Sequence, residues 1–183
     1  MVSRWWAFPL VLVASAALVC TLVFVFAAVI IYPALPSLGV LTDYQPKEPL
    51  RVYSIEGQLI GEFGEERRAV VKVEAVPKAM RDAILAAEDE RFYHHGGVDY
   101  VGVIRAALSN FVSGGARQGA STITMQVARN FFLSKEKTLM RKFSEMLLAF
   151  KIEHSLTKDQ ILELYVNQIY LGQRAYGFAA AAQ

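Results

Sequence analysis

The sequence predicts a mainly α-helical protein with a small β element, preceded by one transmembrane helix. Residues 5–42 contain no charged side chain, and residues 5–32 are almost continuously apolar. Residues 50–73 have the composition of short strands on either side of Glu56-Gly57, a plausible hairpin turn. From Pro77 onward, apolar residues recur at helical spacing. These three observations together predict the fold class.

Composition excludes several classes of protein. The 183 residues include 19 lysines and arginines and 17 aspartates and glutamates, so the formal net charge is only +2. Nucleic-acid-binding proteins usually carry a dense basic stripe, so no nucleic acid partner is expected. Cys20 is the only cysteine and lies in the apolar run, which excludes an intrachain disulfide and a thiolate zinc site. The adjacent His94 and His95 lack the i, i+4 spacing of helical zinc ligands.

The apolar run 5–32 is interpreted as a transmembrane signal-anchor helix. At about 1.5 Å per residue it is longer than the roughly 30 Å hydrocarbon core of a bilayer. A cleaved signal peptide is the alternative, but its apolar region is usually about 7–15 residues long. Arg4 favours a cytoplasmic N-terminus for residues 1–4, with everything after the span outside the membrane. Aromatic residues bracket the run as interfacial anchors do: Trp5, Trp6 and Tyr32.

The rest of the chain divides into a stalk and one folded domain. Residues 33–49 contain four prolines and are predicted to form the stalk, so residues 50–183 form the domain. A helix predicted at 135–154 is apolar on two sides, so its Arg141 and Glu145 are expected to face an interior cleft. The next helix is predicted to begin at Thr157, with a capping box.

Two segments have the residue types of a catalytic site. Glu88 lies in an acidic helix end, where the negative end of the helix dipole suits a group that must accept a proton. Further along, glycines at 114–115 and 119 enclose a flexible loop before a helix whose predicted N-cap is Ser121, and such a helix start favours an anionic ligand. The alternatives are a solvated acidic helix end and an ordinary capped core helix.

Together these segments resemble the peptidoglycan glycosyltransferases (glycosyltransferase family 51). The resemblance rests on four motifs in chain order: Glu88-Asp89…Phe92…His95…Gly97, Gly119-x-Ser-Thr-Ile-Thr, Arg141-Lys142-x-x-Glu145 and Lys158-x-x-Ile-Leu-Glu163-x-Tyr-x-Asn167. One motif alone would be weak, whereas four in order at compatible spacing are specific. The closing run 167–177 and the β-rich segment 50–73 look like those of class A penicillin-binding proteins of type 1A.

The resemblance implies a lysozyme-like helical lobe that uses lipid II as substrate. It assigns Glu88 as the catalytic base and Glu145 as the second essential acid, both expected to open onto one groove beside Arg129. Met125 stands where a glutamine is frequent, which removes a polar group, and Arg129 stands where a lysine is frequent, which retains the charge. The implied residues that shape the base or line the substrate site are Asp89, Phe92, His95, Thr122, Gln126, Arg129, Arg141 and Lys142.

Several further expectations follow from the resemblance. The reaction would be inverting transfer with release of undecaprenyl pyrophosphate on the periplasmic or outer side of the bacterial cytoplasmic membrane. No cofactor is required by the sequence, and a divalent cation such as Mg²⁺ beside Glu145 stays open. The expected partners are lipid II, the growing glycan strand, the membrane and other cell-wall synthesis proteins. The chain is interpreted as the N-terminal part of a bifunctional enzyme whose transpeptidase lies outside it, so 50–183 would be incomplete at its C-terminal end.

Two other functions and one structural choice stay open. A lysozyme-like hydrolase could occupy the same helical lobe, and so could a non-catalytic anchor for other wall enzymes. An apolar stripe fits either a helix that enters the membrane interface or a plain core helix. Its members are Val101, Val103, Ile104, Leu108, Phe111 and Val112.

Overall fold

The computed structural model describes residues 7–42, 44, 49–115, 119–134, 136 and 138–182. The chain forms two compact units, Met1–Pro36 and Ser37–Gln183. The structure is 63% helical with few strands, which confirms the prediction of a mainly α protein with a small β element. The predicted N-terminal segment 1–4 and the Trp5 and Trp6 anchors lie outside the described residues, as does 45–48 of the stalk.

The first unit contains one long apolar helix. Helix α1 (Ala7–Ile31) continues into a 3₁₀ turn (Tyr32–Ala34). Its 25 residues at about 1.5 Å each exceed the roughly 30 Å of a hydrocarbon core. Within the described part of the chain, it is the one helix long and apolar enough to cross a membrane, in agreement with the predicted span at 5–32.

The second unit begins with a short helix and a hairpin. Helix α2 (Gly39–Thr42) precedes strands β1 (Leu50–Tyr53) and β2 (Leu59–Phe63), which pair antiparallel with a bulge after Val52. Gly57 has a φ of 82°, which is the left-handed conformation that the predicted turn at Glu56-Gly57 requires. The hairpin is therefore where the sequence predicts it.

Six helices follow the hairpin and form the body of the domain. The short strand β3 (Arg67–Arg68) leads into a 3₁₀ turn at 73–75 and then into these helices. Helix α5 is central and packs against both α6 and α7. In chain order they are α3 (Lys78–Glu88), α4 (Tyr100–Ser113), α5 (Ile123–Phe132), α6 (Leu139–Ser155), α7 (Lys158–Gln168) and α8 (Phe178–Ala181), with strand β4 (Ala175–Tyr176) before α8.

Helix α7 joins the segment before α3 to the end of the chain. Its Asn167 side chain makes two bonds to Val71, accepting from the backbone N–H at 2.9 Å and donating to the carbonyl at 2.8 Å. Strand β3 pairs in parallel with β4, so residues near 67 lie beside residues near 175. Gly177 is needed at the end of β4, because its φ is 86° and a Cβ there would lie 2.9 Å from the Asn167 carbonyl oxygen. The predicted capping box of α7, between Thr157 and Gln160, is confirmed.

Candidate active site

Glu88 is the last residue of α3, and its side chain is exposed. Its Oε2 accepts a hydrogen bond of 2.8 Å from the Gln126 side-chain amide, which comes from the nearly buried face of α5. Glu88 also lines a cavity of about 330 Å³, here called the base cavity, between the end of α3, the start of α4 and residues 119–122. The carboxylate is therefore fixed by the protein on one side and open to a ligand on the other.

Asp89 connects this helix end to α5. Its Oδ2 accepts a 3.0 Å hydrogen bond from the backbone N–H of Ile123, the first residue of α5. The carboxylate also lies 3.0 Å from His95 Nε2, which must carry the proton because an ionised carboxylate can only accept. Both side chains are almost completely buried, and through these hydrogen bonds they position the end of α3 relative to α5. Asp89 also lines the base cavity beside Glu88.

Phe92 is also part of this support. Its side chain is fully buried, and its ring makes an edge contact with Tyr93 at a centroid distance of 5.2 Å. Lys158 Nζ lies 4.3 Å from the ring centroid, in a cation–π contact, and pairs with Glu153 at 2.6 Å. Because no surface of Phe92 is accessible in this structure, its motif position indicates a role in shaping the base rather than in binding substrate directly.

The start of α5 differs from the prediction at one position. The N-cap is Thr122 rather than Ser121: the Thr122 hydroxyl accepts from the Met125 N–H at 3.2 Å and donates to the Gly97 carbonyl at 2.6 Å. The Ser121 hydroxyl instead accepts a short hydrogen bond from Lys142 Nζ. Of the two neighbouring hydroxyls, that of Thr122 caps the helix, because it also has a buried partner in the Gly97 carbonyl.

Glu145 is fully buried, with a cation at each carboxylate oxygen. Arg141 Nε lies 3.1 Å from Oε1, and Lys142 Nζ lies 2.9 Å from Oε2. Glu145 therefore does not open onto a groove together with Glu88, which differs from the prediction. The two cations reach the cavities in its place, because Lys142 binds Ser121 at the base cavity while Arg141 lines a second cavity.

The second cavity, here called the arginine cavity, has a volume of about 770 Å³. Arg129, at the last turn of α5, lines it together with Arg141, Arg68 and Arg174. Two glutamates, Glu65 and Glu66, line it as well, and Arg68 is paired with Glu66 at 2.7 Å. The arginines outnumber the glutamates, so the cavity favours an anionic ligand whose oxygens a guanidinium can bind with two parallel hydrogen bonds. The structure thus places Arg129 and Arg141, both predicted site residues, on the same wall.

Tyr165 on α7 is a site residue that the sequence interpretation did not assign. Its side chain is 1% exposed, and burial raises the pKa of its phenol. The negative charge of Glu88 raises this pKa further and the positive charge of Arg129 opposes it, so the ring lies within electrostatic reach of both groups. Its place in the fourth motif, between Glu163 and Asn167, was the available signal.

Met125 and possible metal ligands complete the account of the predicted positions. Met125 is buried against Val98 and Ala149, so this position belongs to the core, as expected from the loss of a polar group there. Among the described residues, no group of three or more His, Cys, Asp or Glu side chains is arranged to hold a metal ion. A metal requirement stays a prediction to be tested.

Comparison with known proteins identifies the family of this chain. A family model described as "Transglycosylase" matches residues 56–183. The chain is 62% identical to penicillin-binding protein 1A of Neisseria gonorrhoeae over 157 residues, which is 86% of this chain and 20% of that protein. It is 56% identical to penicillin-binding protein 1A of Escherichia coli (strain K12) over 153 residues, 84% of this chain and 18% of that protein. The chain spans about a fifth of the length of the curated relatives it matches. With most of its residues matched by the family model, the chain belongs to the transglycosylase family.

Proposed function

We propose that this chain polymerises lipid II into the glycan strands of peptidoglycan. Glu88 removes the proton from the 4-hydroxyl of the acceptor sugar, and the resulting oxygen attacks the anomeric carbon of the donor. The new C–O bond forms as the bond to undecaprenyl pyrophosphate breaks, and the electron pair leaves with the pyrophosphate. The observation that carries the proposal is the Gln126 side chain, which fixes Glu88 from the helix that also bears Arg129.

The charges around Glu88 suit a pyrophosphate leaving group. A pyrophosphate departs as a stable anion, so it needs counter-charge rather than a proton from an acid. Arg129 and Arg141 supply that charge in the arginine cavity. Because both oxygens of Glu145 face cations, we propose that these side chains replace a divalent metal, and chelation with EDTA should leave most of the activity intact.

The burial of Glu145 argues against Glu145 as the second catalytic carboxyl group of a glycosidase. A glycosidase needs two accessible carboxyl groups, one to protonate the leaving oxygen and one to activate water or attack the sugar. Glu145 is fully buried behind Arg141 and Lys142, so it cannot reach a glycosidic oxygen or a water at the sugar. The second carboxyl group thus serves to hold cations, which a transferase with an anionic leaving group requires.

We also propose that the domain acts at the outer face of the bacterial cytoplasmic membrane. Both substrates carry long lipid tails, and α1 is long enough to cross a bilayer. The apolar stripe of α4 is exposed, with Phe111 at 87% and Val112 at 84%, which favours the membrane-interface interpretation over a plain core helix. Since this chain spans only about a fifth of the length of relatives named penicillin-binding protein 1A, we propose that it is the N-terminal part of a bifunctional enzyme working with other cell-wall synthesis proteins.

Substitution of the base tests the proposal. The full chain carrying Glu88→Gln should bind lipid II but form glycan at least about 10²-fold more slowly, because general-base catalysis contributes roughly 10²–10⁴-fold. Asp82→Asn, at an exposed acid on the same helix, is the matched control and should retain activity. Glycan length would be followed by gel electrophoresis of labelled lipid II.

Three outcomes would contradict it. A Glu88→Gln chain that polymerises at the wild-type rate would remove Glu88 from the role of base. Release of fragments from polymeric glycan, with no polymerisation of lipid II, would instead indicate a hydrolase. Absence of both activities and of lipid II binding in the unsubstituted chain would favour a non-catalytic scaffold.

A further inference from the structure

The base cavity and the arginine cavity are separate. Within the described part of the chain, no residue lines both of them. An inverting displacement requires the attacking hydroxyl and the leaving group to lie on opposite sides of the anomeric carbon. If the arginine cavity takes the donor's pyrophosphate, the acceptor must approach through the base cavity, because its hydroxyl has to reach Glu88. The side chains on the far wall of the base cavity are therefore in a position to recognise the acceptor.

Asp99 is a nearly buried carboxylate on that wall. Its residue is 8% exposed, and it lines the base cavity together with Glu88. It is the N-cap residue of α4, yet its side chain makes no capping hydrogen bond. Among the residues that the structure describes, the nearest cation is Arg91, whose Nε lies 3.9 Å away, too far for a hydrogen bond. A buried carboxylate is costly without hydrogen-bond donors, so a ligand that supplies O–H or N–H groups in this cavity would be favoured.

Gly102 makes room for this arrangement. A Cβ at position 102 would lie 2.6 Å from Asp99 Oδ2 and 3.1 Å from its Cγ. Any other residue would therefore push the Asp99 carboxylate out of its present position. Glycine in the first turn of a helix costs some stability, and here the missing side chain leaves the carboxylate facing the cavity.

Arg105, one turn after Gly102, is the one basic residue among the described residues that line this cavity, whose acidic lining residues are Glu88, Asp89, Glu90 and Asp99. Its Nη1 lies 3.6 Å from Glu90 Oε2, and the two side chains are 53% and 71% exposed. An exposed ion pair of this length contributes little stability, so it does not hold Arg105 against a competing anion. The acceptor proposed above carries a pyrophosphate, and a guanidinium binds phosphate oxygens with two parallel hydrogen bonds.

We propose that Asp99 and Arg105 form the acceptor-recognising wall of the site, with Asp99 accepting hydrogen bonds from the acceptor sugar and Arg105 binding its pyrophosphate. This inference rests on the proposed function, because it names the side of Glu88 at which the acceptor binds. Asp99 and Arg105 do not take part in proton transfer. They orient the sugar so that its 4-hydroxyl lies against Glu88.

Acceptor binding can be measured separately from turnover in the full chain carrying Glu88→Gln. A lipid II analogue methylated on its terminal 4-hydroxyl, which can serve only as donor, is added at saturation, and the binding of labelled lipid II is then titrated. Adding Arg105→Gln should weaken this second binding step about tenfold, the loss expected for one charge-assisted contact, and Arg105→Lys should restore part of it. Asp99→Asn and Gly102→Ala should each weaken it several-fold, while the affinity for the donor-only analogue should stay within about twofold.

The Lys78–Asp82 pair supplies matched controls. It is an exposed ion pair on α3, so Lys78→Gln and Asp82→Asn remove the same charges away from the base cavity and should change neither binding step. Gly102→Ala is a second test of the same carboxylate in case Asp99→Asn misfolds, because it moves the Asp99 side chain without removing it. Thermal unfolding is recorded for each variant. Unchanged acceptor binding in Arg105→Gln, Asp99→Asn and Gly102→Ala would overturn the inference while leaving Glu88 as the base. So would a loss of binding confined to the donor analogue. Acceptor binding that depends on Arg105, together with failure of the unsubstituted chain to polymerise lipid II, would support this wall but contradict the proposed function.

Discussion

Helices α4 and α6 reverse the usual distribution of polar and apolar side chains. On α6 a charged residue, Glu145, is fully buried, whereas on α4 the large apolar side chains of Phe111 and Val112 are almost fully exposed. Burial of a carboxylate is tolerated only with compensating partners: Arg141 and Lys142 supply counter-charges, and Lys142 also donates a hydrogen bond of 2.9 Å. The comparison teaches that the protein loses stability by placing charge inside and keeps an apolar surface outside. Both features fit the lipid-linked, anionic substrates proposed above.

The largest effect is expected from removing the buried charge. Glu145→Gln leaves two cations without their partner in the interior, so the free energy of unfolding should fall by about 3–5 kcal/mol. Urea unfolding followed by circular dichroism would measure this change. Glu90→Gln removes an acid that is 71% exposed and should shift the midpoint very little. Equal effects of the two substitutions would mean that Glu145 is not a buried counter-ion.

A smaller effect is expected at the start of α5. Thr122→Val removes the helix cap and leaves the buried Gly97 carbonyl without its hydrogen bond, so stability should fall by about 2 kcal/mol. Thr157→Val is a matched control, because Thr157 caps α7 at an exposed position and should cost only about 1 kcal/mol. A larger loss at Thr157 would show that the second bond of Thr122 contributes nothing.

Tyr165 should make stability depend on pH only under alkaline conditions. Because its pKa is raised above the ordinary value of 10.0, the folded state keeps a proton that the unfolded chain loses. This stabilising contribution is complete below pH 10 and is lost as pH rises, with a limiting slope of about 1.4 kcal/mol per pH unit. Tyr165→Phe should flatten the fall between pH 10 and 11 in urea titrations.

Some alkaline dependence should survive in that variant. Burial also raises the pKa of Tyr44 and Tyr93, so the slope becomes shallower rather than zero. Tyr100→Phe, at a side chain that is 64% exposed, is the control and should leave the curve unchanged. An identical slope in the Tyr165→Phe and unsubstituted chains would show that the phenol is not shielded in the folded state.

The exposed stripe of α4 should contribute least to stability. Substitution of Phe111 or Val112 by serine should alter the free energy of unfolding by no more than about 0.5 kcal/mol. Its effect should appear in membrane contact instead. A polarity-sensitive dye attached at Phe111→Cys in a Cys20→Ser chain should shift to shorter emission wavelengths after reconstitution into bilayers. The same dye at Ile55→Cys, 98% exposed at the hairpin turn, should not shift.

Local signals were sufficient for much of the fold. The hairpin turn at Glu56-Gly57 and the capping box at Thr157 depend on residues within a few positions of each other, so their sequence signatures predict them directly. Glu88 at the end of α3 was predictable for the same reason. In these cases the interaction that forms the structure is contained in the segment that shows the pattern.

Features that depend on distant partners were not predictable. The choice of Thr122 over Ser121 as N-cap depends on the Gly97 carbonyl and on Lys142, neither of which a local pattern reveals. The complete burial of Glu145 likewise follows from how α6 packs against the central helix α5. The apolar periodicity predicted that α6 is a central helix. It could not predict whether Glu145 would line a groove or be buried behind Arg141 and Lys142.

The pairing of β3 with β4 has a consequence for how the protein is made. Arg174 donates from Nη1 to the carbonyl of Gly64 at 3.2 Å, a contact between residues 110 positions apart. At a synthesis rate of roughly 5–20 residues per second, the segment after the hairpin therefore waits roughly 5–20 s before its partner strand has been translated. During that interval β3 has no partner strand and can form non-native contacts. A pause in translation just before position 174 should therefore lower the yield of native chains.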